Sequence, residues 1–280
     1  MIKLALSDMD NTLIPFGASR ASERAVKAIH AVLDAGLMFG PCTGRDCVEL
    51  AGFFAGDEAC YRTGVLSNGK RVLADGKTAS LSLFDREKLV KIARALDGHD
   101  NMFMVCYPEA STLGNPGYAV RTTKEHTAFF EARNRFEAHL VDEVPEFDII
   151  GVTIACAGGE AEMETCRRIV AETGTGIPIV SPVPDWFDLL IPGVTKASAL
   201  DVLLEATGLA PDEIVIFGDG ENDLEVLSKI PYSVAVSNAI DEIKDVANYH
   251  IGACEDGAVA DALLQIVDAA KTGEMPAFLR

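Results

Sequence analysis

The sequence predicts an α/β protein: a Rossmann-like, doubly wound parallel sheet with an α+β module inserted into it. Apolar runs at residues 2–7 and 214–217 are followed at once by acidic loops, as expected where buried parallel strands end at a functional edge. Amphipathic helical patterns follow these runs. The pattern between them differs, so we expect one domain from residues 1–81 and 190–280 and a second from residues 82–189.

The first strand is followed by a clear helix and a second strand. Residues 22–35 carry apolar side chains at helical spacing, and Gly36 stands where such a helix would end. Residues 37–42 form another apolar run, and residues 46–54 predict a second helix. Two strand–helix units in succession favour a parallel sheet with helical crossovers.

The middle of the chain interrupts this alternation. Asn68-Gly69 and Asp75-Gly76 are hairpin signals between short β-like segments. The inserted module is then predicted to contain helices near residues 85–97 and 159–172, strands at 102–106 and 149–156, and a Pro/Gly-rich stretch through Asn115–Gly117.

Strand–helix alternation returns near the C-terminal part of the chain. A helix is predicted from Lys196 to Glu205, and the strand at residues 214–217 leads into a glycine-rich acidic loop. A further strand at 233–236 and a helix at 259–270 complete the pattern. We therefore expect these segments to rejoin the first sheet.

The net charge and the cysteine content indicate which partners and which cellular compartment to expect. The net charge of −19 argues against binding to nucleic acid or to an anionic membrane surface. No apolar stretch reaches the length of a membrane span and no leader is evident. Seven scattered cysteines without a C-x-x-C pair favour buried thiols in a reducing compartment. We expect a cytoplasmic protein, as a monomer or a homodimer.

Two acidic clusters follow the predicted strands. Asp8 and Asp10 stand at the end of the first strand, where neighbouring carboxylates can share a cation or divide the roles of nucleophile and general acid. Asp219 and Asp223, with Asn222 between them, lie in the glycine-rich loop after the strand at 214–217. Carboxylate oxygens are ligands that Mg²⁺ prefers, so a magnesium site is expected.

Positive and hydrogen-bonding groups suited to phosphate stand at the other predicted loops. Thr43 offers a hydroxyl and Gly44 an unhindered N–H at a strand end, and Arg45 adds a fork-shaped donor. Lys196 begins a helix and can hold a fixed positive charge near a nucleophile. Asn68 remains open between a turn residue and a residue facing the site.

Four segments in order resemble the motifs of the haloacid dehalogenase-like superfamily, and most closely its Cof-type phosphatases. An insertion between the second and third of them resembles the type II, subclass B cap. Three residues differ from those usual in these motifs, namely Met9, Asn11 and Ala197. None of the three differences removes a catalytic group. The four segments are Asp8-Met9-Asp10-Asn11-Thr12, Thr43-Gly44-Arg45, Lys196 and Gly218-Asp219-Gly220-Glu221-Asn222-Asp223.

The resemblance implies a phosphatase that uses Mg²⁺ and forms an aspartyl phosphate on a small phosphorylated metabolite, such as a sugar phosphate or a phosphorylated cofactor. Asp8 is then the nucleophile, Asp10 the acid and base, and Lys196 the fixed charge. It also implies a cap that sets substrate specificity. The remaining roles are Mg²⁺ binding by Asp8, the main-chain carbonyl of Asp10, Asp219 and Asp223, and phosphate binding by Thr12, Thr43, Gly44, Arg45, Lys196 and Asn222.

Two alternatives remain open at this point. Phosphomutases of the phosphomannomutase type have the same kind of cap, although Asn11 differs from the glycine of their first motif. A ligand-binding module without catalysis would normally lack one of the acidic groups, and all four are present.

Overall fold

The computed structural model describes residues 1–110, 117–134, 138–181 and 184–280. Within them the chain divides into two compact units. The core unit comprises Met1–Leu81 and Val194–Arg280, and the cap unit comprises Ser82–Gly193. The sequence places the second boundary after residue 189, a few residues earlier. Each unit has its own apolar interior.

The core unit is built on a five-stranded parallel sheet of order β14-β13-β12-β1-β2. The residues of β1 and β12 are all buried, whereas β2, β13 and β14 also contain partly buried or exposed residues. The elements of this sheet and its helices are β1 (Leu4–Ser7), α1 (Glu23–Asp34), β2 (Met38–Pro41), α2 (Cys47–Phe53), α6 (Lys196–Thr207), β12 (Ile214–Gly218), α7 (Leu224–Lys229), β13 (Tyr232–Val236), α8 (Asp241–Val246), β14 (Tyr249–Ile251) and α9 (Ala258–Thr272).

The order of the strands creates a switch point beside β1. Leu4 pairs with Met38 of β2 on one side and with Ile214 of β12 on the other, both in parallel. The chain moves outward to β2 first and returns later to β12 and β13 on the opposite side. Open α/β sheets bind ligands where strand order reverses, at the carboxyl ends of the strands. This places the acidic loops after β1 and β12 at the expected edge.

A three-stranded antiparallel sheet of order β3-β4-β5 completes the core unit. Asp75 and Gly76 join its last two strands with φ of 51° and 77°, as a tight hairpin requires. Ser67 and Asn68 also adopt positive φ, in the connection from the first strand to the second. The strands are β3 (Gly64–Leu66), β4 (Arg71–Ala74) and β5 (Lys77–Leu81).

The cap unit has a six-stranded sheet of order β10-β11-β9-β6-β7-β8, antiparallel except for the last pair. Its fold includes elements that the sequence pattern did not predict, namely β7, α4, β8, β10 and β11. Asn115 and Pro116 of the predicted Pro/Gly-rich stretch lie outside the described residues. The elements are α3 (Arg86–Ala95), β6 (Met102–Pro108), β7 (Tyr118–Val120), α4 (Lys124–Asn134), β8 (His139–Val141), β9 (Ile149–Cys156), α5 (Glu160–Glu172), β10 (Ile179–Val180) and β11 (Trp186–Leu189).

Alternation along β6 divides the cap interior between the two faces of its sheet. Met104 and Cys106 pack with α3 and α5, whereas Phe103 and Val105 pack with Phe130 of α4. Together with the parallel core sheet, this architecture confirms the predicted fold class. No helix among the described residues is long and apolar enough to cross a membrane.

Candidate active site

The loop after β1 presents Asp8 and Asp10 through a tight, internally bonded turn. Asp8 N–H donates to the carbonyl of Phe217 in β12 at 2.9 Å, which anchors it beside the neighbouring strand. The N–H of Ile14 donates to the carbonyl of Met9 at 2.8 Å. Asn11 has φ of 58°, a conformation that asparagine tolerates better than most residues. Asn11, which departs from the usual residue of the motif it resembles, therefore stands at a position with the positive φ that glycine adopts readily.

Lys196 lies between two of the carboxylates. Its Nζ is 2.8 Å from Asp8 Oδ1 and 2.7 Å from Asp223 Oδ1, and its side chain is only 1% exposed. The lysine is the first residue of α6, and the Thr195 hydroxyl caps that helix by accepting from Ser198 N–H at 3.1 Å. The helix start therefore fixes where the ammonium group enters the site.

The loop after β12 holds Asp223 in a single orientation. Its Oδ2 accepts from the N–H groups of Asp219 at 3.1 Å and Gly220 at 3.2 Å, while Oδ1 faces Lys196. A Cβ at Gly218 would lie 2.7 Å from Asp223 Cγ, closer than side chains approach. Glycine at 218 is thus needed for the carboxylate to fold back beneath the strand end.

Asp219 is held by the first loop. Thr12 Oγ1 donates to Asp219 Oδ1 at 2.6 Å, and Thr12 is 1% exposed. Thr12, predicted to bind phosphate or adjust the loop, is engaged with this carboxylate.

Burial and mutual repulsion shift the acidity of these carboxyls. Burial raises the pKa of Asp8 to about 7; Lys196 lowers it, and the charges of Asp223 and Asp219 raise it further. Burial likewise raises the pKa of Asp219 to about 6, against the lowering effect of the Thr12 hydrogen bond. For Lys196, burial lowers the pKa, but Asp223 and Asp8 outweigh it and raise the value above that of a free lysine.

These carboxylates fit a divalent cation. Asp8, Asp219 and Asp223 each offer an oxygen, and these atoms lie within 4.8 Å of one another. Lys196 is the ammonium group in direct contact with two of them, so negative charge remains in excess in a largely buried place. Buried charge is costly unless it is paired, and an oxygen-only donor set suits a hard cation such as Mg²⁺. The Asp10 carboxylate is not part of this group.

Arg45 occupies a different position from the one expected of a phosphate donor. Its Nε and Nη2 each donate to an oxygen of Asp10 at 2.8 Å, and Nη1 donates to Glu49 at 2.9 Å. Its guanidinium also lies over the ring of Phe53, 4.9 Å from the centroid. The donors predicted to face phosphate are thus paired with acidic side chains in this structure.

Thr43 and Gly44 lie in the loop after β2. Thr43 is 1% exposed; its N–H donates to the Val65 carbonyl at 2.8 Å and its hydroxyl accepts from Arg45 N–H at 3.2 Å. A Cβ on Gly44 would lie 3.1 Å from Asn68 Nδ2. The absence of a side chain at residue 44 therefore allows Asn68 to approach this loop.

Two asparagines join the loops of the site. Asn222, predicted to contact phosphate or Lys196, instead donates to Asn68 Oδ1 at 3.1 Å. Sequence reasoning left Asn68 undecided and missed Asn238 altogether. Asn238 donates to the Asn11 carbonyl at 2.8 Å and accepts from Cys254 N–H at 2.8 Å. A side-chain amide that bonds to distant backbone leaves no local pattern to detect.

Comparison with known proteins identifies the family of this chain. Residues 5–263 match the model of the haloacid dehalogenase-like hydrolases. The 5-amino-6-(5-phospho-D-ribitylamino)uracil phosphatase YbjI of Escherichia coli is 24% identical over 275 residues, which cover 95% of this chain and 96% of that protein.

Solved structures show the same fold. A haloacid dehalogenase-like hydrolase from Bacteroides thetaiotaomicron has a TM-score of 0.77 at 20% identity and covers 95% of this chain and 100% of its own. The subclass IIB sugar phosphatase BT4131 has a TM-score of 0.70 at 19% identity, with 94% and 98% covered. These findings confirm the predicted superfamily and the enzyme class, a phosphoric monoester hydrolase. The chain belongs to the haloacid dehalogenase-like hydrolase family.

Proposed function

We propose that this protein is a Mg²⁺-dependent phosphatase that hydrolyses a small phosphorylated metabolite through an aspartyl phosphate on Asp8. The observation that carries the proposal is the buried ammonium of Lys196, held 2.8 Å from Asp8 and 2.7 Å from Asp223 beside the remaining acidic groups. A structural salt bridge needs one carboxylate, whereas this cluster gathers three oxygen ligands at the switch point of the sheet.

The contacts of Asp8 support its proposed role as the nucleophile. One of its oxygens is held by Lys196, which orients the carboxylate, and its backbone is anchored to β12. An electron pair of the carboxylate attacks phosphorus, and the bond from phosphorus to the leaving oxygen breaks. The leaving oxygen takes a proton from Asp10 and departs as an alcohol.

Hydrolysis of the aspartyl phosphate restores the enzyme. Water attacks the phosphorus atom, Asp10 accepts a proton from that water, and the electron pair of the phosphorus–oxygen bond returns to the Asp8 carboxylate. Inorganic phosphate leaves. In this cycle the pair of Asp10 with Arg45 opens when substrate binds, because Asp10 needs to reach the leaving oxygen. Arg45 is then free to donate to phosphate.

The remaining groups cradle the phosphate. Lys196 supplies a fixed positive charge, and Thr43 and Gly44 supply a hydroxyl and an N–H from the neighbouring loop. Asn222 Nδ2 donates to Asn68 Oδ1 at 3.1 Å, which links the loops after β12 and β3. Asp8, Asp219, Asp223 and the carbonyl of Asp10 would hold Mg²⁺. When bound, the cation offsets negative charge on the phosphoryl oxygens.

The names of two relatives support a proposal for the substrate class. YbjI is named for a phosphorylated ribityl compound and BT4131 for a sugar phosphate. We propose a phosphate ester of a polyhydroxylated metabolite, either a sugar phosphate or a phosphorylated cofactor. Selectivity for the leaving group is assigned to the cap unit, residues 82–189 in the sequence-based division.

Release of inorganic phosphate from a panel of phosphorylated metabolites tests the proposal. Turnover is expected with Mg²⁺, is expected to stop with a chelator, and is expected to return when Mg²⁺ is restored. Asp8→Asn provides the inactive control. An isomerised sugar phosphate without free phosphate would identify a mutase instead. Absence of turnover on every substrate, with wild type and Asp8→Asn alike, would overturn the assignment.

A further inference from the structure

A second group of metal-ligating side chains lies in the core unit, apart from the carboxylates of the active site. It consists of His30 on α1, Asp57, and Cys60 at the end of the single-turn 3-10 helix Glu58–Cys60. One ligand atom of each residue lies within 4.8 Å of those of the other two. The three residues are called the His30–Asp57–Cys60 group below.

Local backbone geometry brings two of these side chains together. Ala55 and Gly56 have φ of 54° and 82°, which turns the chain sharply after α2. Asp57 and Cys60 then stand three residues apart across one 3-10 turn, where side chains eclipse each other. Cys60 N–H donates to the Asp57 carbonyl at 3.2 Å, which closes that turn. The carboxylate and the thiol therefore emerge on one side.

The Asp57 carboxylate does not cap the 3-10 helix that follows it. Aspartate before the first residue of a helix commonly accepts from the helix N–H groups, but Asp57 makes no such side-chain bond. Its Oδ2 instead lies 2.6 Å from His30 Nε2. A histidine from α1 and an aspartate from the turn thus converge beside the thiol.

The three side chains of the group differ in solvent exposure. Cys60 is completely buried, whereas the side chains of His30 and Asp57 are 43% and 33% exposed. A cation can therefore enter past the imidazole and the carboxylate and meet the thiol at the base.

We propose that the His30–Asp57–Cys60 group is a second cation site, which takes a divalent transition ion of the Zn²⁺ type and not Mg²⁺. Sulfur and imidazole ligands suit Zn²⁺ and its neighbours, whereas Mg²⁺ prefers oxygen. Three protein ligands and one water complete a tetrahedron. The ion ties α1 to the turn that follows α2.

Binding at this site moves a proton but no electrons. Burial first, and Asp57 second, raise the pKa of the Cys60 thiol to about 12, so it enters the reaction as a neutral thiol. As the metal–sulfur bond forms, the thiol proton passes to solvent. His30 Nε2, which faces the Asp57 carboxylate at 2.6 Å, gives up its hydrogen when it binds the ion, and Nδ1 then carries the ring proton. The contact of His30 with Asp57 widens so that both can face the ion.

Titration with Co²⁺, which reports on its ligands by absorption, tests the site. The full chain is first reduced and freed of metal, and Mg²⁺ is then kept in excess without substrate. A thiolate-to-cobalt charge-transfer band is expected to saturate near one equivalent and to disappear when Zn²⁺ is added. Asp8→Asn is titrated in parallel, to show that the signal does not depend on the carboxylates of the active site.

Variants assign the band to these residues. Cys60→Ser and His30→Gln are each expected to lose it, and His30→Gln changes only a half-exposed position. Cys106→Ser, a buried thiol of the cap unit, and His250→Gln, an exposed imidazole of the core unit, are expected to keep it. No band in the wild type, or a band that survives either Cys60→Ser or His30→Gln, would overturn the proposal.

Discussion

The core unit and the cap unit bury different kinds of side chain. Among the described residues, every buried charged side chain belongs to the core unit: Asp8, Arg71, Lys196 and Asp223. The buried polar residues of the cap unit are threonines, and its ion pairs lie at the surface. Buried charge costs free energy unless it is paired. The core therefore keeps an expensive arrangement where chemistry is proposed, whereas the cap has the interior of an ordinary packed domain.

Removal of the proposed nucleophile is expected to give the largest effect. Asp8→Asn keeps the size of the side chain but not the attacking carboxylate, so kcat should fall by roughly 10⁴- to 10⁶-fold. Steady-state phosphate release at saturating substrate measures it. Asp201→Asn is the matched control, because Asp201 is 65% exposed and pairs with Lys229 on the surface of the same unit. Equal activity of both variants would remove Asp8 from the mechanism.

Removal of the buried ammonium should affect both catalysis and folding. In Lys196→Met, Asp8 and Asp223 lose their shared partner, so kcat should fall about 10²- to 10³-fold. Without Mg²⁺, the free energy of unfolding should fall by about 3–5 kcal/mol. Urea titration with and without Mg²⁺ measures the free energy of unfolding, and steady-state phosphate release measures kcat.

Lys229→Met is the control for that experiment, since Lys229 is 38% exposed and its pair with Asp201 should contribute at most about 1 kcal/mol. A loss of stability in Lys196→Met no larger than in Lys229→Met would show that the buried cluster is not energetically distinct.

In the cap, packing is expected to matter most. Phe187 is completely buried, and Phe187→Ala should destabilise the unit by about 3–5 kcal/mol through lost contacts and a cavity. Hydrogen exchange should accelerate within Ser82–Gly193, while the core sheet keeps its protection. Phe16→Ala, at an 82% exposed position, should change neither. Uniform acceleration throughout the chain would mean that the two units unfold together.

The smallest effect is expected at a surface ion pair of the cap. Glu164 lies 3.1 Å from Arg167 and is 73% exposed, so Glu164→Gln should change the free energy of unfolding by less than about 0.5 kcal/mol. Chemical denaturation measures it, and kcat should stay at the wild-type value. A change above about 1 kcal/mol would show that cap charges contribute more than solvent screening allows.

Local patterns predicted the core more completely than the cap. The apolar runs and helical spacing before residue 54 correspond to β1, α1, β2 and α2 within a residue or two at each end. Each of these elements buries a face that its own sequence displays. In the cap, α4 has apolar and polar residues with little helical segregation, so its sequence pattern does not predict a helix.

The site shows the same division between local and distant information. Strand ends and acidic loops were sufficient to select Asp8, Asp219 and Asp223, which the structure brings together. The pair of Arg45 with Asp10 and the bond of Asn222 to Asn68 were not foreseen, because they depend on which loops become neighbours. The roles of these residues in catalysis, and the boundaries and specificity role of the cap, remain predictions.

The core unit is assembled from both ends of the chain, and this has a consequence for biosynthesis. Thr12 and its partner Asp219 are 207 positions apart, and Asp8 and Lys196 are 188 apart. On the ribosome the entire cap therefore emerges before the second half of the core exists, and domains generally fold as they are completed. The nascent chain carries Asp8 before the cap is made but gains Lys196, Asp219 and Asp223 only after it, so a chain that stops within the cap lacks the complete cluster.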